Sequence, residues 1–147
     1  MVMTHDGQCG IHFQSGGHRL LGRLWLAGGD DPKATVILLH GMPGIEQNVD
    51  LALFLREMGW NVLIFHYRGC WGSGGPYRIA TLPEDVRSAI DCLTSGQYPQ
   101  VDPEHFVLVG HSVGAWAALR YTTIDPRVRA VAVIAALYEM DDLCLST

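Results

Sequence analysis

The chain has 147 residues, enough to bury a core within one domain, and its 48% hydrophobic and 17% charged residues exclude a disordered protein. Its formal net charge is −5 and no basic stripe is present, so nucleic acid is not an expected partner. The apolar runs are too short to span a bilayer, and "MVMTHDGQCG" lacks the pattern of a signal peptide. We therefore expect a cytoplasmic protein with no membrane partner.

The first half of the chain predicts a hairpin followed by a strand, a helix and a second strand. Residues 1–30 contain two alternating segments around Ser15-Gly16-Gly17, which is typical of an N-terminal β-hairpin. The apolar runs at 34–40 and 61–67 predict strands buried on both faces. Between them, residues 47–58 carry apolar side chains at helical spacing.

The second half continues the alternation. A helix opening at Pro83 is followed by a turn region at 97–104, a strand at 105–110 and a helix from Val113 to about Thr122. The run "VRAVAVIAAL" predicts a last strand, and residues 138–147 form an acidic tail. The βα units at 34–137 and their short loops predict a single α/β domain, a three-layer sandwich with a mostly parallel sheet.

The stretch "VLVGHSVGAWAAL" places Ser112 in a strand–turn–helix context. Gly110 and Gly114 remove Cβ atoms where a strand and a helix must cross closely, as a sharp and strained turn requires. Such a turn would expose the Ser112 hydroxyl beside the helix N-terminus, where the Val113 amide is free to donate to an oxyanion. The pattern predicts a catalytic nucleophile; an ordinary Gly-Ser turn is the alternative.

A second motif, "HGMPG", directly follows the first buried strand. Acyl transfer needs two donors on the carbonyl oxygen, and the loop after this strand usually supplies the second one. Pro43 has no amide hydrogen, so Met42 N–H is the candidate donor. We interpret His40 as a residue that braces this loop rather than as a base.

The ordered motifs "LLHGMPG", "FHYRGCWGSGG" and "VLVGHSVG" resemble the α/β-hydrolase superfamily, closest to its bacterial esterase, thioesterase and serine-peptidase-like branches. The resemblance covers about residues 19 to 137. It implies Ser112 as nucleophile and the amides of Met42 and Val113 as the oxyanion hole. It also places "YRG" near the mouth of the site, where a structural role is expected for Arg68.

The resemblance further implies an acid and then a histidine after the nucleophile, in a sheet of eight strands of which this chain would supply about six. Glu139, Asp141 and Asp142 are weak acid candidates, with a solvated tail as the alternative. All seven histidines precede Ser112: 5, 12, 18, 40, 66, 105 and 111. His111 is expected to point away from the hydroxyl; His66 could approach it, although a packing role is favoured.

These patterns leave two functions open. The first is a serine hydrolase acting on esters, thioesters or small amides, impaired here because the histidine is missing. Three explanations of the missing histidine are open: a truncated chain, which we favour, a partner chain that completes the fold, or a natural half-protein that has lost catalysis. The second is a non-catalytic interaction or regulatory fragment that pairs with a second copy or a completing chain through its exposed last strand.

No cofactor or metal is expected. The glycine loop 69–75 does not fit G-x-G-x-x-G, and no histidine pair has H-x-x-x-H spacing. The cysteines at 9, 70, 92 and 144 form no CxxC pair, so we expect reduced thiols without a catalytic role.

Overall fold

The computed structural model describes residues 7–42 and 47–137. Its elements alternate in chain order after an initial hairpin, and a single 3-10 turn precedes the second helix. The elements are β1 Gly7–Ser15, β2 His18–Leu26, β3 Lys33–Leu39, α1 Val49–Glu57, β4 Asn61–Phe65, α2 Leu82–Leu93, β5 Val101–His111, α3 Val113–Thr122 and β6 Val128–Ile134. The α/β class and the hairpin are as the sequence predicts.

The six strands form one sheet in the order β1-β2-β4-β3-β5-β6. The hairpin pairs antiparallel to the rest, through β2 against β4, whereas β4, β3, β5 and β6 are mutually parallel. Because β3 lies between β4 and β5, the carboxyl ends of all three strands meet at one edge of the sheet. Ligand sites of open parallel sheets lie at this edge.

Helices cover both faces of the sheet, which gives the predicted three layers. α1 packs on one face against a small cluster that includes Trp25, Val36 and Ile64. α2 and α3 pack on the other face over the larger core, with Leu82, Ile90 and other side chains of the two helices fully buried against the strands. Burial of these apolar side chains is the main stabilising term of the fold.

One predicted boundary is wrong. The turn region expected to end at residue 104 gives way to strand at Val101, which pairs with Lys33 of β3. The Lys33 N–H donates to the Gln100 carbonyl over 2.8 Å, and the Asn61 side-chain amide donates to the same oxygen. Backbone pairing with the neighbouring strand thus extends β5 through a segment whose composition is typical of a turn.

Candidate functional site

Ser112 lies at the corner between β5 and α3. Its backbone has φ 53° and ψ −117°, a conformation that residues other than glycine rarely adopt. Its N–H donates to the Ile134 carbonyl over 3.0 Å, and its own carbonyl accepts the first helical bonds from Ala115 and Trp116. A serine that precedes a helix usually caps it with its hydroxyl. Within the described residues the Ser112 hydroxyl makes no such capping bond.

The two flanking glycines make this corner possible. A Cβ on Gly110 would lie 2.4 Å from the Gly114 carbonyl oxygen, and a Cβ on Gly114 would lie 2.1 Å from the carbonyl oxygen of Leu39. Real Cβ atoms do not approach backbone oxygens so closely. The strand, the helix and the end of β3 therefore touch backbone to backbone, which brings the residues after β3 next to the corner.

In the described part of the loop after β3, Gly41 contacts the corner. A Cβ on Gly41 would lie 3.1 Å from the Ser112 Cβ and 3.0 Å from the His111 Nδ1. Met42 follows at once, with its side chain half exposed, and Val113 begins α3. The amides of a helix's first turn have no acceptor within the helix. The two candidate donors thus flank the candidate nucleophile in the chain segments that touch it.

A hydrogen-bonded brace holds the peptide groups on either side of Gly41. The buried His40 ring donates from Nδ1 to the Gly41 carbonyl over 2.8 Å, and the Tyr67 hydroxyl donates to the His40 carbonyl over 2.9 Å. The two rings pack with centroids 4.3 Å apart. Burial raises the pKa of Tyr67 well above its usual value, so its hydroxyl stays a donor. His40 therefore orients the loop, as the sequence suggests.

Comparison with known proteins identifies the family of the chain. Residues 36–145 match the profile of the alpha/beta hydrolase family. The chain belongs to the alpha/beta hydrolase family. The resemblance inferred from the motifs is thereby confirmed.

Relatives of this alpha/beta hydrolase occur in several bacteria. YfhR of Escherichia coli K12 is 36% identical over 86 residues, which are 58% of this chain and 30% of YfhR. Rv2307c of Mycobacterium tuberculosis H37Rv is 36% identical over 94 residues, which are 63% of this chain and 32% of that protein. The matched part therefore spans less than a third of either relative.

Solved structures share the fold at lower identity. The alpha/beta hydrolase GrgF of Penicillium sp. sh18 aligns with a TM-score of 0.80 and 24% identity, over 90% of this chain and 47% of GrgF. The esterase Pf2001 of Pyrococcus furiosus aligns with 0.75 and 22%, over 89% and 51%. XC6422 of Xanthomonas campestris, an a/b serine hydrolase without a lid, aligns with 0.75 and 21%, over 97% and 67%. At these identities the similarity establishes the fold.

Among the described residues, the histidine side chains that form hydrogen bonds do so with groups other than the Ser112 hydroxyl. His66 follows β4, two strands away from β5, which corresponds to ~10 Å at the usual strand spacing. Its ring packs against His40, with centroids 5.6 Å apart. Burial lowers the pKa of His66, and the nearby His40 and Arg23 lower it further. His66 therefore has the packing role that the sequence favours.

Arg68 lies in a buried ionic network that ties the loop after β4 to α2. Its Nε donates to Asp85 over 2.7 Å and its guanidinium also contacts Glu84 over 2.7 Å. The Ser15 hydroxyl donates to the same Asp85 oxygen over 2.7 Å, which joins the β1–β2 turn to the network. Arg68 is structural in this arrangement, and its guanidinium is used within the fold.

Sequence reasoning missed the central residues of two of these networks. Asp85 is fully buried, although its place in the first turn of α2 suggests only a favourable interaction with the helix dipole. Tyr67 is equally buried, and its bond to the His40 carbonyl joins two strand ends that are far apart in sequence. An acidic residue in an otherwise apolar helix stripe was the one available signal for Asp85.

Four residues singled out from the sequence lie outside the described residues: Glu139, Asp141, Asp142 and Cys144.

The other three cysteines are described. Burial raises the pKa of the thiols of Cys9, Cys70 and Cys92, which keeps them protonated at neutral pH. Residues 7–42 and 47–137 contain no group of three side chains able to hold a metal ion.

None of the helices in the described ranges is both long and apolar enough to cross a bilayer. The cytoplasmic location remains a prediction from the sequence.

Proposed function

We propose that the chain carries the nucleophile and oxyanion hole of a serine hydrolase that cleaves carboxylic esters, thioesters or small amides. The observation that carries this proposal is the conformation of Ser112. A strained residue with a hydroxyl that does not cap its helix is what a nucleophile at a strand–helix corner requires. Family membership and the esterase fold neighbours support the same class of reaction.

In the proposed reaction the Ser112 Oγ bonds to the substrate carbonyl carbon while a base accepts the hydroxyl proton. The N–H groups of Met42 and Val113 donate to the oxyanion of the tetrahedral intermediate. Collapse of the intermediate expels the alcohol, thiol or amine, which takes up the proton. Water then attacks the acyl-serine by the same steps and releases the carboxylic acid.

The general base for Ser112 is the component of the proposed site with the least support. His40 is engaged with Gly41, and His66 packs two strands away from the nucleophile. We therefore expect the 147-residue chain to retain only the contribution of the oxyanion hole and of binding, ~10³–10⁴-fold over water in a serine protease that lost its triad.

A fluorophosphonate probe tests the nucleophile directly. We expect slow labelling of the wild-type chain, none of Ser112→Ala, and faster labelling when free imidazole is added, because dissolved imidazole can replace a missing histidine base. Labelling of Ser112→Ala at the wild-type rate would overturn the assignment of the nucleophile. Rapid stoichiometric labelling without imidazole would contradict the predicted impairment.

A matched pair of variants tests the oxyanion loop. Met42→Pro removes the donor N–H, whereas Met42→Ala keeps it. Loss of one oxyanion donor costs a factor of about 10²–10³ in rate. We expect imidazole-assisted labelling to fall by that factor in Met42→Pro and to be retained in Met42→Ala. Equal rates in the two variants would remove Met42 from the mechanism.

The second candidate function is non-catalytic pairing through β6. This strand lies at the edge of the described sheet, and Val133 and Ile134 are 37% and 50% exposed. Unpaired apolar edges bind further strands. This function predicts a defined dimer or heterocomplex in light scattering that survives Ser112→Ala. A polydisperse sample would count against it.

A further inference from the structure

A cavity of about 190 Å³ lies at the carboxyl edge of β4, separate from Ser112. It occupies the α1 face of the sheet. Arg23 and Trp25 of β2 and Ile64 of β4 line it, with His66 beside them and Trp71 contributed by the glycine loop. A cavity of about 150 Å³ holds benzene, so this volume suits one aromatic ring with a small substituent.

The described lining of the cavity carries a positive charge. Arg23 is the one charged side chain among its described lining residues, and its guanidinium lies 5.6 Å from the centre of the Trp25 ring. A cation held over an aromatic face is partly ordered before any ligand arrives. His66 adds no second charge at neutral pH, since burial, His40 and Arg23 all lower its pKa. One fixed cation matches a ligand with one negative charge.

The exposed apolar surface comes from Trp71, because Trp25 is almost completely buried beside the cavity. Trp25 is 1% exposed, and its Nε1 has no hydrogen-bond partner among the described residues. Trp71 is 55% exposed and has φ 43°, a backbone conformation that a bulky residue rarely adopts. Strain of this kind persists where a side chain has to be presented in a particular place, and it clusters at ligand sites.

We propose that this cavity binds a small aromatic carboxylate of benzoate size, with the carboxylate on Arg23 and the ring against Trp71. The single cation disfavours a doubly charged phosphate, and the exposed indole of Trp71 disfavours a fully hydrated anion. The proposed ligand contacts are separate from the proposed hydrolase residues: Arg23 and Trp71 carry the binding, and neither is the nucleophile nor an oxyanion donor, although Gln47 of the cavity lining lies in the same β3–α1 loop as Met42.

The four tryptophans of the chain provide the readout. In a ¹H–¹⁵N titration of the full chain with sodium benzoate, we expect saturable shifts of the indole N–H signals of Trp25 and Trp71. The signals of Trp60 and Trp116, which are not among the lining residues, should stay in place. Ser112→Ala should bind benzoate equally well, so the result does not depend on the proposed function. No saturable shift up to about 10 mM, where weak sites fill, would overturn the proposal.

The charge contact is tested with Arg23→Gln and with benzamide, the neutral analogue of benzoate. Each should weaken binding about tenfold or more, as expected for loss of one charge-assisted hydrogen bond. Arg87→Gln is the matched control, because Arg87 is exposed on α2, on the opposite face of the sheet. Unchanged Trp60 and Trp116 signals verify that Arg23→Gln is folded, and Trp71→Ala provides a second test at the exposed rim. Equal affinity for benzoate and benzamide, or for Arg23→Gln and wild type, would overturn the proposal.

Discussion

Gly114 faces the end of β3 so closely that a Cβ atom on it would lie 2.1 Å from the carbonyl oxygen of Leu39. This contact joins the first turn of α3 to the strand that leads into the Gly41 loop. It therefore sets the separation between the candidate nucleophile and its candidate oxyanion donors. The geometry of the site depends on the absence of one methyl group.

Gly114→Ala tests this contact. The new methyl group meets backbone oxygens of both Leu39 and His40, which cannot rotate away, so we expect a loss of about 1–3 kcal/mol or more in the free energy of unfolding. Gly10→Ala is the control, because a Cβ there would meet nothing within 4 Å. It should be neutral or stabilising by up to about 1 kcal/mol. Urea denaturation measures both, and equal effects would contradict the close contact.

Two replacements of Ser112 distinguish the effect of its backbone strain on stability from the effect of losing its hydroxyl. Backbone strain of this type costs about 1–3 kcal/mol, and glycine adopts a positive φ without it. After the entropy cost of glycine in the unfolded chain, Ser112→Gly should still stabilise by about 1 kcal/mol. Ser112→Ala retains a Cβ and should show no such gain. An equal gain in the two variants, measured by denaturation, would argue against strain at the corner.

The buried carboxylate of Asp85 should matter far more than its exposed neighbour Glu84. The Asp85 side chain is 0% exposed, whereas that of Glu84 is 52% exposed, and both contact Arg68. Removing one member of a buried pair costs about 3–5 kcal/mol, so Asp85→Asn should be strongly destabilising. An exposed pair contributes about 0–1 kcal/mol, which is the limit expected for Glu84→Gln. Thermal denaturation of the two variants distinguishes these values.

We expect the free energy of unfolding to decrease in mild acid, because His40 and His66 are buried in the folded chain. Burial lowers the pKa of both His40 and His66 in the folded chain, so the unfolded chain binds protons at a higher pH. Stability is then fully present above the unfolded pKa of about 6.5 and is lost as the pH falls from there toward the folded values. His66→Asn should reduce the slope of unfolding free energy between pH 7 and about pH 5.5. An unchanged slope would show that His66 does not contribute.

The local features of the fold could be predicted because they depend on short-range patterns. These features are the buried strands, the hairpin turn and the glycines around Ser112. Each is determined by interactions within a few residues, so its position follows from periodicity and from backbone sterics. The start of β5 could not be predicted in this way. Val101 pairs with β3 because Lys33 and Asn61 donate hydrogen bonds to the Gln100 carbonyl. These bonds form only when three segments that are distant in sequence meet.

By itself, the sequence determined the class of fold, the strand–turn–helix at Ser112 and the order of the motifs, because these depend on spacing along the chain. Only the tertiary structure decided which residues meet. It placed β3 between β4 and β5, which separates His66 from Ser112 and brings Gly41 against the serine. It also pairs the guanidinium of Arg68 with the buried carboxylate of Asp85. The physical reason is the same in each case: side-chain contacts across a sheet are set by strand order, and strand order minimises the free energy of the whole chain rather than of any one segment.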